Sequence, residues 1–439
     1  MFMASRTQPM DEGLRLANAP AAASEYATVP GRRKIVLFGH FGSGNFGNES
    51  TLQAVLSNVR RLVPDVDVSC VCTAPEIVAA EYKIPAAPIS EVVVGSWDLR
   101  NPAAKLARRL LVGIPAELYR WLKGIKTLWN QDMLVVVGTG LLTDAFGLAS
   151  WGPYSVFKWS LIAKLCRCRL ILMSVGAGPL NSRRGRLFVQ AALSLASFHS
   201  YRDQATVEYL EGIGIQCGSA RVFPDLAFSL PAPSPERTTA MGRNRRPVVG
   251  LGLMSYGGMY GVEKTTETHY AAYTQTLLTF AEWLLHHQFE VRLLTGDVSD
   301  TTTVQDFQSS IRARAGRCDE KRIIAQPITS CEDLIVQLEA TDFVVATRFH
   351  NVLLGLFLNK PSIALSFHHK CSSLMKQMEL SEYCQDIKSL NADRLIEQFS
   401  DLERNGESLR VKIRRKADEC RAALEQQYGL ILDELNTCE

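Results

Sequence analysis

The sequence predicts an α/β protein with two Rossmann-like domains that face each other across a cleft. Three observations support this fold class. The chain has 439 residues, a length that favours two domains over one. Short apolar strand patterns recur along it, each followed by a helical pattern, and strands that alternate with helices form parallel sheets. A passage rich in Pro, Arg and Thr at residues 231–247 divides the alternation into two series.

The two series define the expected domains. After a tail at 1–32, whose composition predicts a flexible segment, an N-terminal domain spans 33–230. Its strands are expected at Lys34–Phe38, Val66–Cys72, Met133–Val137, Arg169–Val175 and His199–Tyr201. Beyond the 231–247 linker, a C-terminal domain spans 248–390, and helices occupy 391–439. The strands of this second domain are expected at Val248–Met254, Glu290–Thr295, Arg322–Ala325, Phe343–Ala346 and Ser362–Ser366.

The composition narrows the class of protein. The net charge is +3, from 48 basic and 45 acidic residues, which is too balanced to indicate a nucleic-acid partner. Eleven cysteines are scattered without the spacing of zinc sites, so we expect reduced thiols, no metal and no bound cofactor. Neither a secretion signal nor an apolar run of about eighteen residues is visible, which predicts a cytoplasmic protein.

The strongest candidate site follows the predicted strand Phe343–Ala346. Arg348 and His350 lie between this strand and a helix, and ligands of doubly wound sheets bind at the carboxyl ends of strands. A helix N-terminus favours an anion, and a guanidinium adds a planar fork that suits phosphate or carboxylate. His350 could bind that phosphate or transfer a proton. The alternative is a structural salt bridge for Arg348 and a capping role for His350.

Two further junctions carry candidate residues. Arg202 follows the strand His199–Tyr201 and is expected to face the same cleft, with a surface charge as the alternative. Asp144 lies behind the strand Met133–Val137 and a Gly138-Thr139-Gly140 turn. It could act as a base or be an ordinary turn carboxylate.

A glycine-rich loop at residues 39–47 joins the first strand to the first helix. Glycines let a backbone approach a ligand at a helix start, so Gly44, Asn45 and Asn48 are candidate substrate contacts. The loop lacks both the G-x-G-x-x-G register and the Lys-Ser/Thr ending of nucleotide-binding loops, so it does not predict a nucleotide.

One segment combines basic and apolar residues in a helical pattern. Its basic residues are Lys105, Arg108, Arg109, Arg120, Lys123 and Lys126, and its apolar ones are Leu106, Leu110, Leu111, Ile114, Leu118, Trp121 and Leu122. Such a segment either contacts an anionic lipid surface or forms crossover helices with solvated outer faces.

Taken in order, these junctions resemble the polysaccharide pyruvyl transferase family. The resemblance runs from about Lys34 to Leu390 and depends on the order and spacing of several short motifs. In the first half, Gly44–Glu49 is similar to G-N-x-G-D-E, Val137–Asp144 to a glycine-turn segment, Ser174–Leu180 to a G-x-G-P turn, Ser200–Asp203 to S-x-R-D and Phe223–Asp225 to the following P-D. In the second half, Thr347–His350 is similar to R-x-H, and Asn359–Ala364 with Lys370 to the tail of that motif.

The resemblance implies a glycosyltransferase-B-like fold that binds phosphoenolpyruvate between its halves, held by Arg202, Arg348 and His350, with Lys370 as a further substrate contact. It also implies transfer of the pyruvyl group to two hydroxyls of a sugar, free or lipid-linked, as a ketal. His350, Asp144 and Glu49 are then the candidates for proton transfer. The chain departs from the family pattern at Asn48, where an Asp is usual, and at Gly138-Thr139-Gly140, where a glycine triplet is usual.

Other functions stay open at this point. A nucleotide-sugar glycosyltransferase of the same shape would bind a diphosphate at the same helix terminus. A non-catalytic glycan-binding member of the family also stays open, because Asn48 cannot act as a base. Peripheral contact with the inner face of the membrane is a further open alternative.

Overall fold

The computed structural model describes residues 32–91, 101–138, 140–145, 147–148, 152–232, 245–255, 267–314, 320–367 and 369–436. Nearly all of the predicted tail at 1–32 and most of the predicted linker at 231–247 lie outside these ranges. Within the ranges, none of the helices combines the length and the apolarity that crossing a bilayer requires.

The described part of the first half forms a six-stranded parallel sheet. Its strands are β1 Lys34–Phe38, β2 Asp67–Cys72, β3 Ala86–Pro88, β4 Met133–Val137, β5 Arg169–Val175 and β6 Phe198–Tyr201. The spatial order is β3-β2-β1-β4-β5-β6, the order of doubly wound dinucleotide-binding sheets. The helices are α1 Phe46–Leu62, α2 Pro75–Tyr82, α3 Pro102–Arg108, α4 Ile114–Leu128, α5 Pro153–Leu165, α6 Arg183–Leu195 and α7 Gln204–Gly212.

The described part of the second half repeats this topology. Its strands are β7 Val248–Leu253, β8 Glu290–Thr295, β9 Ile323–Ile324, β10 Phe343–Ala346, β11 Ser362–Ser366 and β12 Cys384–Asp386, in the order β12-β11-β10-β7-β8-β9. The helices are α8 Glu267–His286, α9 Thr301–Arg314, α10 Cys331–Glu339, α11 Phe349–Phe357, α12 His369–Gln377, α13 Ala392–Arg404 and α14 Gly406–Asn436. The predicted fold class, two Rossmann-like α/β halves, is confirmed.

The two halves share one apolar core, which continues from one face of the first sheet into the second half. The last helix, α14, strengthens this junction because it returns to the first sheet. Gln427 Nε2 donates to Ser200 Oγ at 2.7 Å and to Ser174 Oγ at 3.0 Å. Each sheet reverses its direction of winding at a central pair of strands, β1 with β4 and β7 with β10. Ligands of such sheets bind in the crevice at these reversal points, so the loops after these strands are the places to search.

Candidate functional site

The glycine-rich loop after β1 is bonded to the second half. Phe46 N donates to Gly296 O at 3.2 Å, and Val298 N donates to Gly44 O at 2.9 Å. Asn45 Nδ2 donates to Asp297 Oδ2 at 2.9 Å, while Asn45 Oδ1 caps α1 by accepting from Gly47 N at 3.1 Å. Gly44 and Asn45 therefore hold the two halves together, and their role as substrate contacts stays a prediction.

Arg202 and His350 belong to different halves and meet at Asp225. Arg202 Nη1 lies 3.4 Å from Asp225 Oδ2, and His350 Nε2 lies 3.9 Å from the same oxygen. The Arg202 guanidinium also stacks on Phe349, 5.0 Å from the ring centroid, which is a cation–π contact between the halves. The cleft thus brings together the guanidinium and the imidazole that the sequence places on separate strand ends.

One nitrogen atom of Arg202 and one of His350 are left without a hydrogen bond among the described residues. Arg202 Nη2 and His350 Nε2 are buried and have no hydrogen-bond partner among the described residues. Buried polar atoms are almost always paired, and a distance of 3.9 Å to Asp225 is too long for a hydrogen bond. Because one atom comes from each half, a small anion between the halves could interact with both.

Lys370, in the first turn of α12, completes the positive side of the site. A Cβ built on Gly140, in the turn after β4, would lie 2.8 Å from Lys370 Nζ. We call Arg202, His350 and Lys370 the basic cluster. Gly140 stands on one side of Thr139, which lies outside the described residues.

The protonation of the basic cluster follows from burial and mutual repulsion. Burial lowers the pKa of His350 to about 4; Asp225 opposes this shift, and the charges of Arg202, Lys370 and Arg348 reinforce it. Burial, with repulsion from Arg202, also lowers the pKa of Lys370 to about 8. At neutral pH the imidazole is therefore neutral and the ammonium is mostly charged.

Glycines of three turns in the first half make room for the basic cluster. A Cβ on any of them would meet the side chain above it: Gly47 lies under His350, Gly140 under Lys370 and Gly176 under Arg202. Gly140 and Gly176 lie in the loops after β4 and β5, and Gly47 lies in the first turn of α1, directly after the loop that follows β1. The glycine motifs of the sequence thus provide close backbone contact with the basic cluster.

Arg348 adjoins the basic cluster, but it is held by a carboxylate. Its Nε and Nη2 donate to Asp300 Oδ2 and Oδ1, both at 2.7 Å, and Asp300 is fully buried. This is the structural salt bridge that the sequence left open, and it engages two of the guanidinium donors that an anion would otherwise use. A direct substrate contact of Arg348 stays a prediction. Asp300 was missed, although its position in the loop after β8 was a usable signal.

Asp144 is bonded to the backbone in front of α6. Its Oδ1 accepts from Asn181 N at 3.0 Å and its Oδ2 from Ser182 N at 2.7 Å. Partial burial raises the pKa of Asp144, but these hydrogen bonds outweigh burial and the net pKa is lowered. A carboxylate held in this way is a weak base, so the geometry favours the turn role over the catalytic one.

Glu49 is bonded within the glycine-rich loop. Its Oε1 accepts from Gly42 N at 2.7 Å, and its Oε2 is buried without a partner among the described residues. Burial raises the pKa of Glu49 to about 7; the Gly42 N–H opposes the shift, and Glu81 and Glu332 add to it. None of these residues is among the charged neighbours that shift His350. The geometry therefore favours a structural role for Glu49.

Asn48 stabilises the glycine-rich loop through its amide. Asn48 Nδ2 donates to His40 O at 3.0 Å, which closes the loop onto α1. A carboxylate at this position would place an oxygen against that carbonyl and would lose the hydrogen bond. The departure from the family pattern at Asn48 is thus accommodated by a local bond.

Two polar residues near the basic cluster were missed as site candidates. Asp225 lies in the Pro-Asp motif, which signalled a family resemblance but not a role. Asn351 is fully buried beside His350, and both Oδ1 and Nδ2 have no partner among the described residues. A Cβ on Gly296 would lie 2.6 Å from Asn351 Oδ1, so this amide packs under the loop after β8.

No metal centre was found in the described ranges, where no three His, Cys, Asp or Glu side chains are grouped so that they could hold an ion. The expectation of no metal-ligating residues and no cofactor stays a prediction.

Comparison with solved structures identifies the fold. The UDP-GlcNAc 2-epimerase of Neisseria meningitidis bound to UDP-GlcNAc aligns over 92% of this chain and 100% of its own, with a TM-score of 0.56 and 12% identity. Anabaena HepE in complex with UDP aligns over 91% and 99%, with a TM-score of 0.55 and 11% identity. At such low identity these likenesses concern the fold alone, and they confirm the glycosyltransferase-B-like architecture.

Comparison of sequences identifies the family. The amylovoran biosynthesis protein AmsJ of Erwinia amylovora is 20% identical over 423 residues, which cover 88% of this chain and 96% of AmsJ. A profile of the polysaccharide pyruvyl transferase family matches residues 45–369, a region that includes Asn45, Arg202, Asp225 and His350. Because this match covers well over half of the sequence, the chain belongs to the polysaccharide pyruvyl transferase family, whose members are transferases that modify polysaccharides.

Proposed function

We propose that this protein transfers the pyruvyl group of phosphoenolpyruvate to two hydroxyls of a sugar in a surface or extracellular polysaccharide, or in its lipid-linked precursor. The observation that carries the proposal is the pair of unsatisfied buried nitrogens, Arg202 Nη2 and His350 Nε2, one from each half. Phosphoenolpyruvate bears a carboxylate and a phosphate on one small carbon frame. A donor of this kind needs positive charge on two sides, which the basic cluster supplies.

The roles follow from position and charge. Arg202 binds the donor carboxylate, since its guanidinium presents a free Nη2 beside the planar Phe349 ring. The Lys370 ammonium and the N-terminus of α11 stabilise the phosphate as its charge develops on leaving. Arg348 is paired with Asp300, so it attracts the phosphate through its electrostatic field rather than through a bidentate pair of hydrogen bonds.

The proposed reaction uses His350 as the proton-transfer group. The methylene carbon of the donor takes up a proton, and a sugar hydroxyl forms a C–O bond to the adjacent carbon. A second hydroxyl of the same sugar then displaces phosphate from that carbon and closes the ketal. Of the two hydroxyl protons released, one balances the proton on the methyl group and the other leaves with phosphate. His350 is neutral at pH 7, and the negative charge of a bound donor would raise its lowered pKa, so that the imidazole can accept a hydroxyl proton.

Turnover assays test this proposal. The full chain is incubated with phosphoenolpyruvate and candidate glycan acceptors, and inorganic phosphate and glycan mass are measured together. We expect phosphate release that depends on an acceptor, with one pyruvyl increment per phosphate, and loss of both in Arg202→Ala. Transfer from a UDP-sugar without any use of phosphoenolpyruvate would instead support the glycosyltransferase alternative. Donor binding without phosphate release from any acceptor would support the non-catalytic one.

A further inference from the structure

The helical segment from Pro102 to Leu128 exposes an unusual amount of apolar side chain. It runs through α3, a π-helical turn at Arg109–Gly113 and α4 without leaving the right-handed helical region. Of the fifteen large hydrophobic side chains exposed among the described residues, eight lie between Leu106 and Trp129. Six form what we call the apolar stripe: Leu106 (59% exposed), Leu110 (53%), Leu111 (77%), Ile114 (49%), Leu118 (60%) and Leu122 (66%).

The opposite face of α4 is fixed against the domain, so the apolar stripe cannot turn inward. Leu128 is fully buried, and a Cβ on Gly124 would lie 2.7 Å from Ile162 of α5. Trp121 Nε1 donates to Tyr154 OH at 3.2 Å. The α4 crossover therefore has a packed inner face and an apolar outer face, rather than the solvated outer face of an ordinary crossover helix.

The apolar stripe is flanked by positive charge. The segment from 102 to 128 contains six Lys and Arg residues and one acidic residue, Glu117. Glu117 is engaged inside the domain by Arg120 at 2.9 Å and Lys158 at 3.3 Å, so it does not offset the exposed cations. Lys105, Arg109 and Lys126 are exposed beside the stripe. Apolar side chains bordered by cations are complementary to an anionic lipid surface.

We infer that the apolar stripe binds the surface of a bilayer that contains anionic lipids. Its leucines enter the boundary between headgroups and acyl chains, and its cations contact lipid phosphates. A second copy of this chain is a poorer occupant, because a twofold contact would bring the same cations of both copies together. The inference does not depend on the identity of the donor. It would place the enzyme where a lipid-linked acceptor resides.

Vesicle co-sedimentation of the full chain tests the inference. The vesicles consist of phosphatidylcholine alone or of phosphatidylcholine with about one third phosphatidylglycerol, which gives the second kind a negative surface potential. We expect binding to the anionic vesicles that weakens with added salt. Leu118→Ser/Leu122→Ser should lower the partition coefficient at least about tenfold, because each leucine loses buried methylene groups. Lys105→Gln/Lys126→Gln should lower it about tenfold on anionic vesicles only.

The matched control is Leu187→Ser/Val411→Ser, which removes side chains that are each 68% exposed on other helices. It should bind vesicles like the wild type. Equal vesicle binding by Leu118→Ser/Leu122→Ser and the wild type would overturn the inference. An absence of vesicle binding by the wild type would overturn it as well. If light scattering then showed a wild-type dimer that Leu118→Ser/Leu122→Ser dissociates, the stripe would be a protein interface.

Discussion

The imidazole of His350 rests directly on Gly47, a residue of the other half of the molecule, and any side chain at position 47 would occupy the space of the ring. Gly47 belongs to the glycine-rich loop, and His350 belongs to the motif that follows β10. The two sequence motifs are therefore the two sides of one contact. Because Asn45 in the same loop is bonded to Asp297, closure of the halves and placement of the imidazole depend on the same segment.

Gly47→Ala tests this contact. The new methyl group must displace the His350 ring, so we expect turnover to fall about a hundredfold, the cost typical of misplacing a catalytic group by about 1 Å. The matched control is Gly429→Ala on α14, where a Cβ meets nothing within 4 Å. This control should keep full turnover and gain up to about 1 kcal/mol in the free energy of unfolding. Equal turnover in the two variants would contradict the contact.

Arg348→Ala should lower the free energy of unfolding as well as the turnover rate. Sequence alone suggests that this change abolishes turnover and leaves the fold intact, but the bidentate bond to Asp300 alters that expectation. Removing the guanidinium leaves a buried carboxylate unpaired, which typically costs about 3–5 kcal/mol. Denaturant unfolding of Arg348→Ala, Asp300→Ala and the double variant measures the coupling between them. A loss below about 1 kcal/mol in Arg348→Ala, with turnover abolished, would indicate a substrate contact instead.

Glu49→Gln should stabilise the protein in a pH-dependent way. Burial raises the pKa of Glu49 to about 7, so the protonated carboxyl stabilises the folded protein fully below about pH 4.5. This stabilisation is lost as the pH rises through about 7. The glutamine keeps an oxygen for Gly42 N and never ionises. Relative to the wild type, it should gain about 3 kcal/mol in unfolding free energy between pH 4.5 and pH 8. A pH-independent difference would contradict the raised pKa, and loss of turnover would return Glu49 to the catalytic candidates.

Donor affinity should decline at alkaline pH through Lys370. Its pKa is lowered to about 8, so the ammonium that we propose as a donor contact is lost as the pH rises through this value. Above it, the apparent dissociation constant for phosphoenolpyruvate should rise up to tenfold per pH unit. Lys370→Arg keeps its charge and should hold donor affinity to higher pH, which calorimetric titration at several pH values would show. The same alkaline decline in both proteins would exclude Lys370 as its cause.

Most strands were predictable because buried strands are runs of apolar residues, which are visible in the sequence. The boundaries of Lys34–Phe38, Met133–Val137 and Phe343–Ala346 match the structure, since strands covered on both faces are continuously apolar. The edge strands Ala86–Pro88 and Cys384–Asp386 were missed. Each has three residues, too few to carry a periodic pattern.

The candidate site was predictable in position but less so in its pairings. Ligands of doubly wound sheets bind at the carboxyl ends of the strands, and the two halves were expected to face each other. Arg202 and His350 could therefore be assigned to one cleft. The pairing of Arg348 with Asp300 could not, because Asp300 lies in the short 3₁₀ turn Val298–Asp300 after β8. The path of that connection decides which carboxylate reaches Arg348. The role of Asp144 also depends on such a path, since its partners are the backbone N–H groups of Asn181 and Ser182.

The most direct test of the account is a calorimetric titration of the full chain with phosphoenolpyruvate and, separately, with UDP. We predict that phosphoenolpyruvate binds and that UDP neither binds nor competes. Arg202→Ala should weaken donor binding about tenfold to a hundredfold, the usual cost of one charged hydrogen bond. Gly176→Ala, which crowds the Arg202 guanidinium, should weaken it in the same direction, while Gly212→Ala, where a Cβ meets nothing within 4 Å, should not. Unchanged donor affinity in Arg202→Ala, or tight binding of UDP in place of phosphoenolpyruvate, would contradict the account.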